Sequence, residues 1–170
     1  MMRFQRQVNE NYVRLLRRSD ISSINVKDLA NELGMSVSTI YYQHGSRQEF
    51  LRFIANKCSN QVVTSSLVRF QMYRTDNLDS KDETIFLKGV SDFVTEYNKL
   101  MPGAILHLTE NDRDAVQIYL QQFRSLCISW IRTLPEGGSN ALLWFNILWG
   151  QIDLATEYGT AEHAPRSVGS

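Results

Sequence analysis

Residues 26–42 read Val-Lys-Asp-Leu-Ala-Asn-Glu-Leu-Gly-Met-Ser-Val-Ser-Thr-Ile-Tyr-Tyr. Leu29 and Leu33 are spaced i, i+4, so they face one side of a first short helix. Gly34 permits the positive φ of a tight turn, and Ile40 anchors a second short helix from below. This pattern is typical of a helix-turn-helix.

Helix boundaries around this stretch are set by capping residues. Asn, Ser and Thr are favoured at helix N-caps because their side chains accept a hydrogen bond from a free backbone N–H. The sequence predicts helix N-caps at Asn25, Ser36, Ser46, Thr109 and Ser139.

The rest of the chain continues in helical periodicity, and we predict an all-α fold. No proline occurs before Pro102, and no sustained alternation of apolar and polar residues indicates strands. Breaks are expected at Met101–Gly103 and at the turn Pro135–Gly138. The predicted helices cover Arg3–Arg18, Val26–Leu33, Val37–Gln43, Arg47–Tyr73, Lys81–Leu100, the segment after Thr109 to Leu134, and the segment from Ser139 to about Tyr158.

Three units are predicted from this order. Residues 1–46 form a three-helix N-terminal domain with the helix-turn-helix. Residues 47–160 form a larger helical domain, and residues 161–170 form a flexible tail.

The charge distribution favours an anionic partner for the N-terminal part alone. The chain has 18 basic and 18 acidic residues, so it is neither globally basic nor acidic. Residues 1–52 carry eight bases and five acids, whereas residues 53–170 carry ten bases and thirteen acids. A basic N-terminal segment on an acidic body attracts a polyanion to the former.

A short helix supported on one side fits the major groove of DNA, which is about 12 Å wide. Side chains that are not committed to the core then reach phosphates or base edges. Arg47 begins the next helix, where free N–H groups also attract phosphate. The alternative to DNA binding is a helical hairpin with a structural role only, whose tyrosines are half-exposed core residues. The predicted DNA contacts are Lys27, Ser38, Thr39, Tyr41, Tyr42, Gln43 and Arg47.

Residues 24–53 resemble the DNA-binding domain of the TetR/AcrR family of transcriptional regulators. The family pattern is Val-x-x-Ile-Ala, then Gly-Val-Ser, then Thr-Leu-Tyr-x-x-Phe, then Ser-Lys-Glu-x-Leu. His44 departs from it, because an aromatic Phe normally packs at that place. The matching residues, some by conservative replacement, are Val26, Leu29, Ala30, Gly34, Ser36, Thr39, Ile40, Tyr41, Ser46, Arg47, Glu49 and Phe50.

The resemblance implies a homodimeric repressor that binds a palindromic operator with its third helix. Thr39, Tyr41 and Tyr42 would contact phosphates or bases, with Ser38 and Gln43 adding contacts. Arg47 stands where the family usually has a phosphate-binding Lys. The larger helical body would hold a small-molecule effector and the dimer interface.

The body supplies candidates for both roles, although each aromatic residue also suits a plain core. The last helix is apolar nearly all round, which favours burial against its own body and against a second copy. Candidate pocket residues are Phe86, Phe93, Tyr97, His107, Tyr119, Phe123 and Trp144. Candidate interface residues are Trp130, Leu142, Phe145, Trp149 and Ile152.

No enzyme, metal or cofactor signature is found in the sequence. The three histidines lie on separate segments, and Cys58 and Cys127 lack Cys-x-x-Cys partners. These cysteines are predicted to be buried, the alternative being a redox sensor. With no signal peptide or membrane span indicated, we expect a cytoplasmic regulator. The alternative function is a helical protein-interaction regulator with weak or no ligand and DNA binding.

Overall fold

The computed structural model describes residues 10–18 and 23–163, with side chains to residue 156. Seven α-helices and two short 3₁₀ turns account for nearly all of this part, which contains no strand. The helices are α1 (10–16), α2 (Val26–Leu33), α3 (Val37–His44), α4 (Arg47–Asp76), α5 (Glu83–Ala104), α6 (Glu110–Ile131) and α7 (Ser139–His163).

Four of the five predicted N-caps are confirmed, whereas Ser139 has helical backbone angles and is the first residue of α7. Asn25 accepts a hydrogen bond from the backbone N–H of Asp28 at 2.9 Å. Ser36, Ser46 and Thr109 accept equivalent bonds from the third residue that follows each of them. Each bond satisfies one donor that the first helical turn leaves free, so the starts of α2, α3, α4 and α6 are encoded locally.

Several predicted boundaries are wrong. α4 ends at Asp76, three residues after Tyr73, and α5 begins at Glu83, two residues after Lys81. α5 passes through Pro102 and ends two residues later. Pro102 removes one backbone donor, but Met101 and Ala104 on the same turn are buried in the core, which keeps the turn helical. α6 ends at Ile131, three residues early, and α7 extends five residues beyond Tyr158. Residues 161–163 therefore belong to a helix, while the start of the first predicted helix, the connection at 19–22 and the tail from 164 lie outside the described residues.

α1 packs against both α4 and α5. The ring of Tyr12 meets the ring of Phe50 edge-on, with 6.5 Å between centroids. The carbonyl oxygen of Leu16 lies against Gly103, where an added Cβ would clash with that oxygen. Glycine is therefore required at 103 for α1 to reach α5.

An aromatic cluster forms the core of the body. Trp130 is fully buried, and its ring lies 5.3 Å from the ring of Phe86 and 5.7 Å from that of Phe70. Phe93 and Phe123 stack at 3.7 Å. These contacts join α4, α5 and α6 into one body, because each of these helices contributes at least one ring.

Cys58 and Cys127 are buried free thiols, as predicted. Burial raises the pKa of the Cys58 thiol to about 12, against the opposing charge of Lys57. Burial also raises the pKa of Cys127 well above its usual value. Both thiols stay protonated near neutral pH, which is the unreactive form.

We therefore expect neither cysteine of the folded chain to react with an aromatic disulfide reagent at pH 8. In 6 M guanidinium chloride two thiols per chain should react at once. Because folding raises both pKa values, the unfolded chain ionises first, and stability should fall as pH rises above about 9, by up to ~1.4 kcal/mol per thiol and pH unit. A thiol that reacts in the native chain would instead support a redox sensor.

Candidate functional site

The α2–turn–α3 unit is tightly built. Gly34 has φ 65°, the left-handed conformation that the sequence predicted. The backbone N–H of Met35 donates to the carbonyl of Ala30 at 2.9 Å. Leu29, Ala30 and Ile40 are buried beneath the turn. The two short helices are therefore anchored on one side only.

The opposite side of α3 is open to solvent. Tyr42 is 93% exposed and Tyr41 is 49% exposed, which is unusual for tyrosines on a helix that carries a fully buried isoleucine. Ser38 and Gln43 are also exposed. We call Ser38, Tyr41, Tyr42 and Gln43 the outer face of α3. Hydroxyl and amide groups give it hydrogen-bond donors and acceptors without any fixed charge.

Thr39 and Arg47, both predicted contacts, are partly engaged within the chain. The hydroxyls of Thr39 and Ser36 lie 2.7 Å apart and share a hydrogen bond. The Nε–H of Arg47 donates to the carbonyl of Ile24 at 2.7 Å. Arg47 thus ties the start of α4 to the segment before α2, whereas Lys27 is exposed.

His44 takes the structural place of an aromatic residue. Its ring lies 5.1 Å from the ring of Phe50 and 4.7 Å from that of Phe53. The imidazole therefore packs α3 onto α4.

Ion pairs neutralise some of the basic charge near this unit. Arg18 pairs with Glu32, and Arg52 pairs with Glu49. Exposed pairs of this kind contribute little to stability, so they mainly shape the surface potential. Arg14 on α1 and Arg17, just after its end, are exposed and line a recess with α4.

The seven pocket candidates do not enclose a common space, and Trp144 is exposed on α7. Phe86, Tyr97 and Phe123 are buried in the aromatic core, and the hydroxyl of Tyr97 lies 3.0 Å from that of Thr156. His107 and Tyr119 are half-buried. Only Phe93 lines the open groove between α4 and α5, which has a volume of about 580 Å³.

The interface candidates divide by exposure. Trp130, Phe145, Trp149 and Ile152 are buried within their own chain, and Leu142 alone is exposed. Most of the interface candidates are therefore not on the surface of the single chain. The inward face of α7 consists of Ala141, Phe145, Trp149 and Ile152. The exposed set, here called the α7 strip, consists of Leu142, Leu143, Trp144, Ile147 and Leu154.

The sequence analysis did not identify Leu143, Ile147 and Leu154 of the α7 strip as surface residues. It also did not identify Ser66 and Arg69, which line the groove between α4 and α5. For α7 the sequence does not show which side of the helix faces the core. Once Phe145 is placed inward, helical spacing puts Ile147 and Leu154 outside. No signal in the sequence distinguishes Ser66 from the other polar residues of α4.

Comparisons with protein-family models, with curated proteins and with solved structures gave no match to this chain. Among the described residues, none of the helices has the length and apolar composition needed to cross a bilayer. The same part of the chain holds no cluster of three or more His, Cys, Asp or Glu side chains arranged for a metal ion.

Proposed function

We propose that this chain is a ligand-responsive, DNA-binding transcriptional regulator of the TetR/AcrR type, a homodimer that represses by occupying a palindromic operator. The observation that carries the proposal is the outer face of α3. Tyr42 is 93% exposed, while Ile40, two residues earlier, is fully buried. A rigidly anchored helix that presents tyrosine, serine and glutamine to solvent is suited to contact with a polar surface.

DNA is the partner that fits this face. An α-helix enters the major groove, and hydroxyl and amide side chains bind phosphates and base edges there. Lys27 lies at the start of α2 and adds positive charge on the same unit. Burying two exposed tyrosines against a duplex also gains contact area at low cost in rotamer entropy.

The α7 strip supports a homodimer. Leu143, Ile147 and Leu154 share a face with Gly150, since they are separated by four, three and four residues. An added Cβ at Gly150 would meet nothing within 4 Å, so the fold of the single chain does not require glycine there. Glycine within an exposed apolar face favours close approach of a second helix, and a symmetric pair of α7 helices buries both strips.

α4 connects the α2–turn–α3 unit to the body. It has 30 residues, so it is about 45 Å long and spans both regions. A ligand bound in the body can change the spacing of two α3 helices through this connection, provided that it prefers one spacing. Two copies must hold their recognition helices about 34–36 Å apart to read successive turns of the groove.

The test is selection of duplexes by the full chain from a pool with a randomised 30-base-pair centre. We expect enrichment of an inverted repeat whose half-site centres lie about 10–11 base pairs, or a multiple of that, apart. Binding of the selected duplex should weaken steeply with salt, as phosphate contacts require. Recovery of unenriched sequences after several rounds would contradict the proposal.

The alternative, a helical protein-interaction regulator, is favoured by one observation. The α7 strip is apolar and exposed, and it would equally suit the surface of a different protein. Light scattering of the purified chain discriminates the two. A mass of twice 19.6 kDa supports the homodimer, and a monomer at micromolar concentration supports the alternative.

A further inference from the structure

Arg47 joins the start of α4 to the start of the α2–turn–α3 unit. It is the first residue of α4, and its Nε–H donates a hydrogen bond of 2.7 Å to the carbonyl oxygen of Ile24, 23 residues earlier in the chain. Ile24 is itself buried and stands directly before Asn25, the N-cap of α2. The bond therefore links two elements that local sequence does not bring together.

The α2–turn–α3 unit is built as one rigid piece, because hydrogen bonds close its own turn. The backbone N–H of Met35 donates to the carbonyl of Ala30 at 2.9 Å, and that of Gly34 donates to the carbonyl of Asn31 at 3.3 Å. The direction in which the outer face of α3 points is then set by how the whole unit is seated on α4.

Two attachments on α4 lie at the two ends of this unit. At the end of α3, the ring of His44 lies 5.1 Å from the ring of Phe50. Before the start of α2, Arg47 holds the carbonyl of Ile24. Apolar packing is non-directional, whereas a hydrogen bond weakens steeply when it is bent. The bond from Arg47 is therefore the attachment that fixes the angle of the unit.

A further link to α2 does not replace this bond. Arg18, just after the end of α1, pairs with Glu32 on α2, and their side chains are 35% and 38% exposed. Exposed ion pairs contribute little, because water screens the charges and two long side chains must be ordered. This pair also makes no connection to α4.

The same bond engages the guanidinium that would otherwise be offered to DNA. Arginine binds a phosphate best through two parallel N–H donors from one edge of its planar fork. In Arg47 the Nε–H of one edge is directed at the carbonyl of Ile24, and the residue is half-buried. Lys27, by contrast, is exposed at the start of α2, where it suits a phosphate contact.

We propose that Arg47 is a positioning residue for DNA recognition, which sets the angle at which α3 is presented, and that it is not a phosphate contact. This inference rests on the proposed function. Without the bond, the outer face of α3 keeps its composition but loses its alignment with the groove. Contacts to base edges then weaken, while the general attraction to phosphates is retained.

The decisive substitution is Arg47→Lys, because lysine keeps the positive charge but has a methylene group where arginine has Nε. The readouts are the Kd for the selected duplex, the Kd for a scrambled duplex of the same length, and the salt dependence of both. We expect Arg47→Lys to raise the Kd for the selected duplex about tenfold, as for one lost charge-assisted hydrogen bond. The Kd for the scrambled duplex and the salt dependence should stay unchanged, since no phosphate contact is lost.

Lys27→Met is the matched comparison for a true phosphate contact. It should raise both Kd values by the same factor and reduce the slope of log Kd against log salt concentration by about 1. Arg47→Met, which removes the charge as well as the bond, should lose the same discrimination between the two duplexes as Arg47→Lys.

Circular dichroism at the assay temperature should show the same helix content in every variant. An Arg47→Lys chain that binds both duplexes as tightly as the unmodified chain would overturn the proposal, because a lysine would then suffice at this position. An equal loss for both duplexes would overturn it by making Arg47 a phosphate contact, and a loss of helix content would do so by making it a structural residue only. If the unmodified chain enriches no duplex, the proposed function fails before any variant is compared, and this inference falls with it.

Discussion

Replacing Ile147 by Asp is expected to convert the homodimer into a monomer of 19.6 kDa. Ile147 is 49% exposed in the single chain, so an aspartate there is solvated and leaves the monomer folded. In the dimer the same carboxylate would be buried against its symmetric copy, and two unpaired buried charges of like sign are strongly unfavourable. Light scattering measures the mass directly.

Loss of the dimer should also weaken DNA binding. A dimer that contacts both half-sites binds with an affinity about 10²–10⁴ times that of a single half-site contact. Ile147→Asp should therefore raise the Kd for the selected duplex by a factor of about 10² or more. Leu78→Asp is the matched control, since Leu78 is equally apolar and exposed but lies in the link after α4. A dimer that survives Ile147→Asp would remove the α7 strip from the interface.

Replacing Trp130 by Ala is expected to lower the free energy of unfolding by about 3–5 kcal/mol. Trp130 is fully buried between Phe70, Tyr73 and Phe86, and the guanidinium of Arg74 lies 4.7 Å from its ring. Deleting the indole therefore removes contacts from two other helices, α4 and α5, at once. Urea unfolding followed by circular dichroism measures the loss.

Trp130→Phe separates packing from polarity. The indole N–H of Trp130 has no hydrogen-bond partner among the described residues, so a phenyl ring loses volume but no hydrogen bond. We expect Trp130→Phe to cost less than half as much as Trp130→Ala. A loss below about 1 kcal/mol for the alanine variant would show that the site collapses around the cavity and that Trp130 is not central to the core.

The sequence predicted the N-terminal helices well because their signals are local. Asn25, Ser36 and Ser46 cap their helices through bonds to the third residue that follows, and Gly34 takes the positive φ of the turn. None of these features depends on distant packing. Pro102 misled the prediction, since the turn that contains it stays helical where Met101 and Ala104 are buried, and the local pattern does not show that packing.

The candidate sites of the body were harder to predict because they depend on packing between distant segments. α7 is apolar on several faces, so its periodicity does not say that Phe145 and Trp149 point inward while Ile147 points outward. The aromatic candidates for a pocket are mostly core for the same reason. Ser66 and Arg69 lie in a groove that exists only because α5 packs beside α4.

The outer face of α3 is the central element of the account, and Tyr42 tests it most directly. Because Tyr42 is almost wholly exposed, Tyr42→Ala should leave the melting temperature unchanged within about 1 °C, as surface substitutions do. Leu78→Ala removes a comparably exposed side chain far along the sequence from α3 and serves as the control.

The measurement is the fluorescence anisotropy of the selected duplex titrated with the unmodified chain, Tyr42→Ala and Leu78→Ala at one fixed salt concentration. The account predicts a Kd at least about tenfold higher for Tyr42→Ala, equivalent to the loss of one good contact, and an unchanged Kd for Leu78→Ala. Equal Kd values for Tyr42→Ala and the unmodified chain would contradict it.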